Sequence, residues 1–229
     1  MEYVPKIRKY SLFVFFVPLI TINICLLIVI YGGDFLKHGD ALGAPTFPYI
    51  DGKTSISRTA RVFPSYLIFK PCMILTGIIL IYYWNANYKL ISKLDTLNNL
   101  KKHFRFYGII SAIFIILHSI FLGIKFDINI YKLFRKFLLL GFILFELAAQ
   151  AILVSNLYKI KNNINHLISK KILKIKIILV SVLIVVAFLS LPILVSSGYV
   201  ELKNALAWNY FVGILTFYLL NYFFWKKKN

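Results

Sequence analysis

The sequence is poor in acidic residues and in cysteine. Its 229 residues include only 8 Asp and Glu against 27 Lys and Arg, and only 2 Cys. Both cysteines, Cys25 and Cys72, fall inside apolar runs, so the chain has no disulfide framework of the kind that holds small secreted domains together. A small fold that depends on such bridges is therefore excluded.

Common catalytic and ligand-binding motifs are also missing. The sequence contains no HExxH zinc motif, no GxSxG nucleophile elbow, no glycine-rich phosphate loop and no CxxC pair. We therefore expect no metal and no cofactor. Whether the protein is an enzyme stays open at this level.

Apolar residues dominate what remains. They make up 60% of the chain, whose mean hydropathy is +0.78, and a soluble domain of this size does not hide that much apolar surface. Six apolar runs are each long enough to cross the ~30 Å hydrocarbon layer at ~1.5 Å per residue. They predict a single all-α domain over residues 1–229 with six transmembrane helices, at 11–31, 65–84, 106–124, 137–158, 177–195 and 205–225.

The net charge of +19 follows the connections between these runs, which argues against a nucleic-acid partner. Lys and Arg concentrate in both terminal segments and in connections 85–105 and 159–176. Because positively charged connections stay on the cytoplasmic side, both termini are predicted to be cytoplasmic, and the long connection 32–64 is predicted to be lumenal or extracellular. The basic connections are expected to meet anionic lipid headgroups.

Three ionisable side chains lie inside the predicted spans, where a charge costs about 2.5–3.5 kcal/mol or more. Lys70 and His118 lie ~8–9 Å from the outer ends of their spans, and Glu146 lies ~14 Å deep. Gln150 follows Glu146 by one helical turn and shares its face. Since the inner halves of the spans show nothing comparable, the sequence predicts a polar cleft that opens outwards, below residues 45–64.

Each of these charges also has a purely structural interpretation. Lys70 can extend its ammonium to the outer interface, and His118 can make a single interhelical hydrogen bond. Glu146 can form an internal bridge with either of them, since a lone carboxyl at this depth is protonated or paired. Charges in a connection, such as those of Arg58 and Arg61, are usually just solvated.

The first connection and the start of the second span resemble a known family. Two segments carry the resemblance, TFPYIDGKT at 46–54 and FPSYLIFKPCMIL at 63–75. They are similar to the six-span proteins named for the damage-regulated autophagy modulators (DRAM) and their Frag and Sfk relatives, in which a Pro-Tyr-Ile-Ser-like turn follows the first span. Asp51 stands where serine is usual in that turn. Pro64 and Lys70 match the Pro-led segment, with its basic residue, that opens the second span.

The resemblance implies two different functions. The branch of post-GPI-attachment-to-proteins factor two takes part in lipid remodelling of GPI anchors on the lumenal side of secretory membranes, whereas the autophagy modulators have no firm enzymatic role. A lumenal polar cleft favours the first branch. Its site would combine a general acid/base pair with residues that bind phosphate and lipid. The pair would be Glu146 and His118, and the binding residues would be Lys70, Arg58, Arg61, Asp51, Gln150 and Asn209.

This lipid-remodelling hypothesis has two alternatives from other classes. Glu146, Gln150 and His118 can belong to the proton-linked pathway of a small transporter or channel. The chain can also be a non-catalytic membrane adaptor like the autophagy modulators. In a eukaryote the expected location is the endoplasmic reticulum or Golgi, and in a bacterium it is the cytoplasmic membrane.

Overall fold

The computed structural model describes residues 2–32, 36, 45–95, 99–124, 129–196 and 198–226, and for residues 129, 132, 194 and 195 it describes the backbone only. Within these ranges the protein is helical and contains no strand, which confirms the all-α fold class. The helices are α1 (Tyr3–Tyr31), α2 (Ile56–Arg61), α3 (Ser65–Leu94), α4 (Phe104–Phe121), α5 (Asn129–Lys159), α6 (Lys170–Val195) and α7 (Val200–Phe224).

Five of the described helices are both long enough and apolar enough to cross a membrane, so the protein is a multi-pass membrane protein. They are α1, α3, α4, the Leu133–Lys159 part of α5 and the Lys170–Ile193 part of α6. Helix α7 has 25 residues but is not among them, since asparagines such as Asn209 and Asn221 lower its hydropathy. The predicted span 205–225 therefore coincides with a helix, while its crossing of the membrane stays a prediction.

Several helices extend beyond the apolar runs into the basic connections. Helix α3 continues to Leu94, and α6 begins at Lys170, whereas the predicted spans end at 84 and begin at 177. Lysine and leucine are good helix formers, so backbone hydrogen bonding continues where the apolar pattern stops. Hydropathy alone detects only the part of each helix that suits hydrocarbon.

The connection 32–64 contains the short helix α2, which the apolar pattern did not predict. Ser55 caps this helix, since its hydroxyl accepts a hydrogen bond from the backbone N–H of Arg58 at 3.2 Å. Residues 33–35 and 37–44 of the same connection lie outside the described residues.

The long helices form a closed ring in the order α1, α3, α4, α5, α6 and α7, and α7 packs back on α1. Helices α3 and α4 approach closely because Gly108 leaves room for the indole of Trp84, to which a Cβ on that glycine would come within 2.3 Å. Each long helix thus turns one face to the interior of the ring. Polar residues on those faces meet one another and not lipid.

Candidate functional site

The carboxyl group of Glu146 lies inside the helix ring and is held by donors from three helices. Its side chain has 0% exposure. It accepts hydrogen bonds from the Ser111 hydroxyl of α4 at 2.6 Å and from the Gln150 amide of α5 at 3.0 Å, and also from the Tyr218 hydroxyl of α7. The predicted proximity of Gln150 and Glu146 on one helix face is confirmed by their hydrogen bond.

Glu146 does not line an open cleft. The space beside it, between residues such as Met73, Phe142 and Tyr218, has a volume of about 10 Å³, which is near the lower limit for a single water molecule. The fold therefore does not form the predicted outward-opening polar cleft around Glu146. The side chains of five helices close over it instead.

A buried amine lies in the same interior. Lys176 of α6 has 0% exposure, and its ammonium donates to the Asn221 side-chain oxygen of α7 at 2.7 Å. The rings of Phe217 and Phe224 lie 4.2 and 5.0 Å from its Nζ, close enough for cation–π attraction. The Asn221 amide in turn donates to the Ser11 hydroxyl of α1 at 3.3 Å.

The sequence analysis placed Lys176 in a basic connection, and this was wrong. Helix α6 begins at Lys170, so Lys176 lies in its second turn and not in the connection. The overlooked signal is its spacing of three or four residues from Leu173 and Val180. All three side chains, together with Leu183, form one buried face.

The residues that contact Glu146 and Lys176 lie within one turn of α7. Tyr218 contacts Glu146 and Asn221 contacts Lys176, three residues further along the helix. The Tyr83 ring of α3 packs 4.9 Å from the ring of Tyr218, and its hydroxyl lies near Asn221 without a hydrogen bond of good geometry. We refer to these interior residues and Ser111, Gln150 and Ser11 as the buried polar network.

This network corrects the predicted distribution of polar residues. The sequence analysis placed the three ionisable residues in the outer halves of the spans or near their middle, and found nothing comparable in the inner halves. Yet Ser11, Lys176 and Asn221 are buried at the ends of α1, α6 and α7 that adjoin the basic segments. Ser11 and Asn221 were overlooked because neither is ionisable, and only the packing shows that they face inwards.

The structure does not bring His118 or Lys70 to Glu146. His118 lies two turns, ~10 Å, from Ser111 along α4, and its Nδ1 is 3.3 Å from the backbone carbonyl of Arg135. Lys70 donates to the carbonyl of Ile120 at 3.2 Å. The predicted acid/base pair of Glu146 and His118, and a bridge from Glu146 to either residue, therefore find no support in the geometry.

The first connection is tied down onto α7 over residues 45–55, which we call the docked turn. Three side chains of α7 donate to its backbone carbonyls: Asn204 to Gly52 at 2.8 Å, Trp208 to Thr54 at 2.9 Å and Asn209 to Tyr49 at 2.7 Å. The Tyr49 ring packs 4.9 Å from that of Trp208. The predicted lipid-binding residue Asn209 thus holds the docked turn in place.

Glycine is required at the apex of the docked turn. Gly52 has a φ of +59°, which only glycine adopts readily, and a Cβ at this position would lie 1.8 Å from the carbonyl oxygen of Glu201. The PYIDG sequence therefore serves a close backbone approach between the turn and the start of α7.

Asp51 organises the inside of the docked turn. Partial burial opposes its ionisation, but hydrogen bonds from the Lys53 N–H, the Thr46 hydroxyl and the Phe47 N–H outweigh that effect and hold the pKa of Asp51 below its usual value. The carboxylate lies 2.8 Å from the Thr46 hydroxyl and 3.0 Å from both N–H groups. Its contacts are those of a turn-forming residue.

The two arginines predicted to bind phosphate lie on α2. Arg58 is half-buried and Arg61 is exposed. Their joint binding of a phosphate with Lys70 stays a prediction.

Comparisons with known proteins add no name to this site: no family model matches the chain, and neither the curated proteins nor the solved structures contain a match.

Proposed function

We propose that this protein is a lipid-binding membrane protein whose lipid lies in a groove between α1 and α3. The groove is the observation that carries the proposal. Its volume is about 480 Å³, and it runs along α1 from Lys9 to Ile24, with Ile68 and Cys72 of α3 on its other side. That volume is within the range of small-molecule sites.

The groove suits an acyl chain. From Lys9 to Ile24 it extends ~22 Å along the helix axis, which is most of the ~30 Å hydrocarbon layer. Its walls are apolar apart from Lys9, Thr21 and Cys72. Phe13, Phe16 and other large apolar side chains of α1 are exposed along it. An acyl chain there would cover apolar surface without displacing a hydrogen bond.

Lys9 gives the groove a charged end. In the proposed topology, α7 is a sixth span and both termini are cytoplasmic, so Lys9 lies at the cytoplasmic interface. Support for this topology comes from the closure of the ring by α7 and from the basic connections. An ammonium at that position favours a lipid with an anionic headgroup.

This site is not where the resemblance put one. Under the docked turn, the geometry supports neither a phosphate site nor an acid/base pair, so remodelling chemistry and a GPI-anchor substrate rest on the resemblance alone. Lipid binding is the part of that hypothesis to which the fold lends support. A surface groove lined mainly by exposed apolar side chains favours a held lipid over an open channel.

Native mass spectrometry of the full chain, released from nanodiscs that contain phosphatidylglycerol and phosphatidylcholine, tests the proposal. Ile20→Trp should fill the groove and reduce retained lipid about tenfold, equivalent to ~1.4 kcal/mol. Leu27→Trp is the matched control, because Leu27 is exposed on the same helix and outside the groove. Equal lipid retention in the two variants would contradict the proposal.

The headgroup preference has its own matched pair. Lys9→Gln should reduce the preference for phosphatidylglycerol about fivefold, since one lysine near the surface contributes ~1 kcal/mol. Lys6→Gln should leave it unchanged, because Lys6 forms an exposed pair with Glu2 at 2.8 Å and is not part of the groove wall.

A further inference from the structure

The interior of the helix ring holds one carboxyl group and one amine, each surrounded by neutral partners. Glu146 and Lys176 both have 0% exposure. Glu146 contacts a serine, a glutamine and a tyrosine, and Lys176 contacts an asparagine and two phenylalanine rings. Among the described residues, no salt bridge includes either side chain.

A single buried charge with only neutral partners is costly, and proteins neutralise or pair such groups. The acid and the amine can both be neutral, or both be charged and so compensate each other across the interior. The two states hold the same number of protons and differ only in which group binds one of them. When that proton moves, the O–H bond of Glu146 breaks and an N–H bond forms at the Nζ of Lys176, and no other reactant is needed.

The geometry connects the two groups through a short stretch of α7. Tyr218 donates to Glu146, and Asn221 accepts from Lys176 three residues later, ~4.5 Å further along the axis. The hydroxyl of Tyr83 lies near Asn221, and its ring packs on that of Tyr218. The partners of the acid and of the amine are therefore separated by less than one turn of α7.

We propose that Glu146 and Lys176 form a single proton-binding site inside the bundle, in which the protonation of one group sets that of the other. The other titratable groups that face Glu146 are Tyr83 of α3 and Tyr218 of α7, while α4 contributes the Ser111 hydroxyl. Lys176 faces the amide of Asn221, and no described contact brings it a charged group from α1, α5 or α7. The acid and the amine are thus the two members of the site.

The site is closed at the end near Lys176. Residues 167–169 pair with residues 224–226: the N–H of Ser169 donates to the carbonyl of Phe224 at 3.0 Å, and the N–H of Lys226 donates to that of Leu167 at 2.9 Å. Phe224 also provides one of the rings over Lys176.

Infrared spectroscopy of the full chain in phosphatidylcholine nanodiscs tests the proposal. The C=O stretch of a protonated carboxyl group, assigned to Glu146 by its loss in Glu146→Gln, is followed against pH. Lys176→Gln keeps a hydrogen-bonding group next to Asn221 but removes the ammonium that favours the carboxylate. It should therefore raise the pH midpoint of that band by about one unit or more. Lys174→Gln is the matched control, because Lys174 is exposed on the same helix and should leave the midpoint unchanged.

A second measurement on the unaltered protein covers the case in which Lys176→Gln does not fold. In solid-state NMR of the ¹⁵N-lysine- and ¹³C-glutamate-labelled chain, the signal of the Glu146 carboxyl should shift when the Lys176 amine titrates, and the reverse. An unchanged infrared midpoint in a folded Lys176→Gln variant would overturn the proposal. So would a Glu146 signal that does not respond when the amine of Lys176 titrates.

Discussion

The two ends of α7 use polar side chains in different ways. Near its start, Asn204, Trp208 and Asn209 donate to backbone carbonyls of the docked turn. Near its end, Tyr218 and Asn221 contact a buried acid and a buried amine. A backbone carbonyl is neutral at every pH, so the first set only holds the docked turn in position. The partners of the second set can change their charge, so only that set contacts groups that can take up or release a proton.

The largest effect is expected near the end of α7, at the buried polar network. Glu146→Ala removes the acceptor of three buried donors and leaves a cavity, and it should lower the free energy of unfolding by about 4 kcal/mol. The measurement is thermal unfolding in detergent micelles. Glu201→Ala, at an exposed position in the first turn of α7, is the control and should be nearly neutral. Similar unfolding temperatures for the two variants would show that the buried polar network contributes little to stability.

A large effect is also expected near the start of α7, where the docked turn has no room for one added methyl group. Gly52→Ala places a Cβ 1.8 Å from the Glu201 carbonyl oxygen at a φ of +59°, so docking of the turn should weaken by about 3 kcal/mol. Limited proteolysis of residues 45–55 reports this undocking. Gly198→Ala is the control, since nothing lies within 4 Å of a Cβ there. Equal resistance of both variants to protease would contradict the close approach.

The outer end of α7 was easier to predict from the sequence than the interior. The PYIDG turn is visible because proline, aspartate and glycine have strong local preferences, and those preferences set its shape. Its partners on α7 are distant in the chain, and no local pattern connects Gly52 with Asn204. The sequence analysis therefore recognised the turn as distinctive but assigned it to lipid binding.

The interior was predicted less well because hydropathy measures how apolar a side chain is and not the direction that it faces. Glu146 and Gln150 were found, since a carboxyl deep in an apolar run is rare. Lys176 was missed, because other lysines surround it and the helix starts earlier than the apolar run. Tyr218 was read as part of an aromatic span, although it donates to Glu146. Five of the six predicted spans coincide with helices that are long and apolar enough to cross a membrane, because apolar length alone determines them.

A pair of tryptophans gives a smaller and more selective comparison of the two ends. Trp208 and Trp225 are 0% and 1% exposed, but only the indole of Trp208 donates a described hydrogen bond, to Thr54. Trp208→Phe should therefore cost about 1 kcal/mol more than Trp225→Phe, the net value of one such bond. Chemical unfolding in micelles measures the difference. Equal losses would mean that ring packing, and not the hydrogen bond, holds the docked turn.

The smallest expected effect is the pH dependence of the docked turn. Hydrogen bonds hold the pKa of Asp51 below its ordinary value of 3.8, so the folded turn favours the carboxylate. Its contribution is complete above pH 3.8 and is lost as the pH falls through the lower pKa of the folded state. The fluorescence of Trp208, in a background with Trp84 and Trp225 replaced by phenylalanine, should therefore report undocking on acidification. Asp51→Asn should remove this step and leave the turn less firmly docked at neutral pH. If that variant keeps the same acid transition, a carboxylate other than Asp51 governs it.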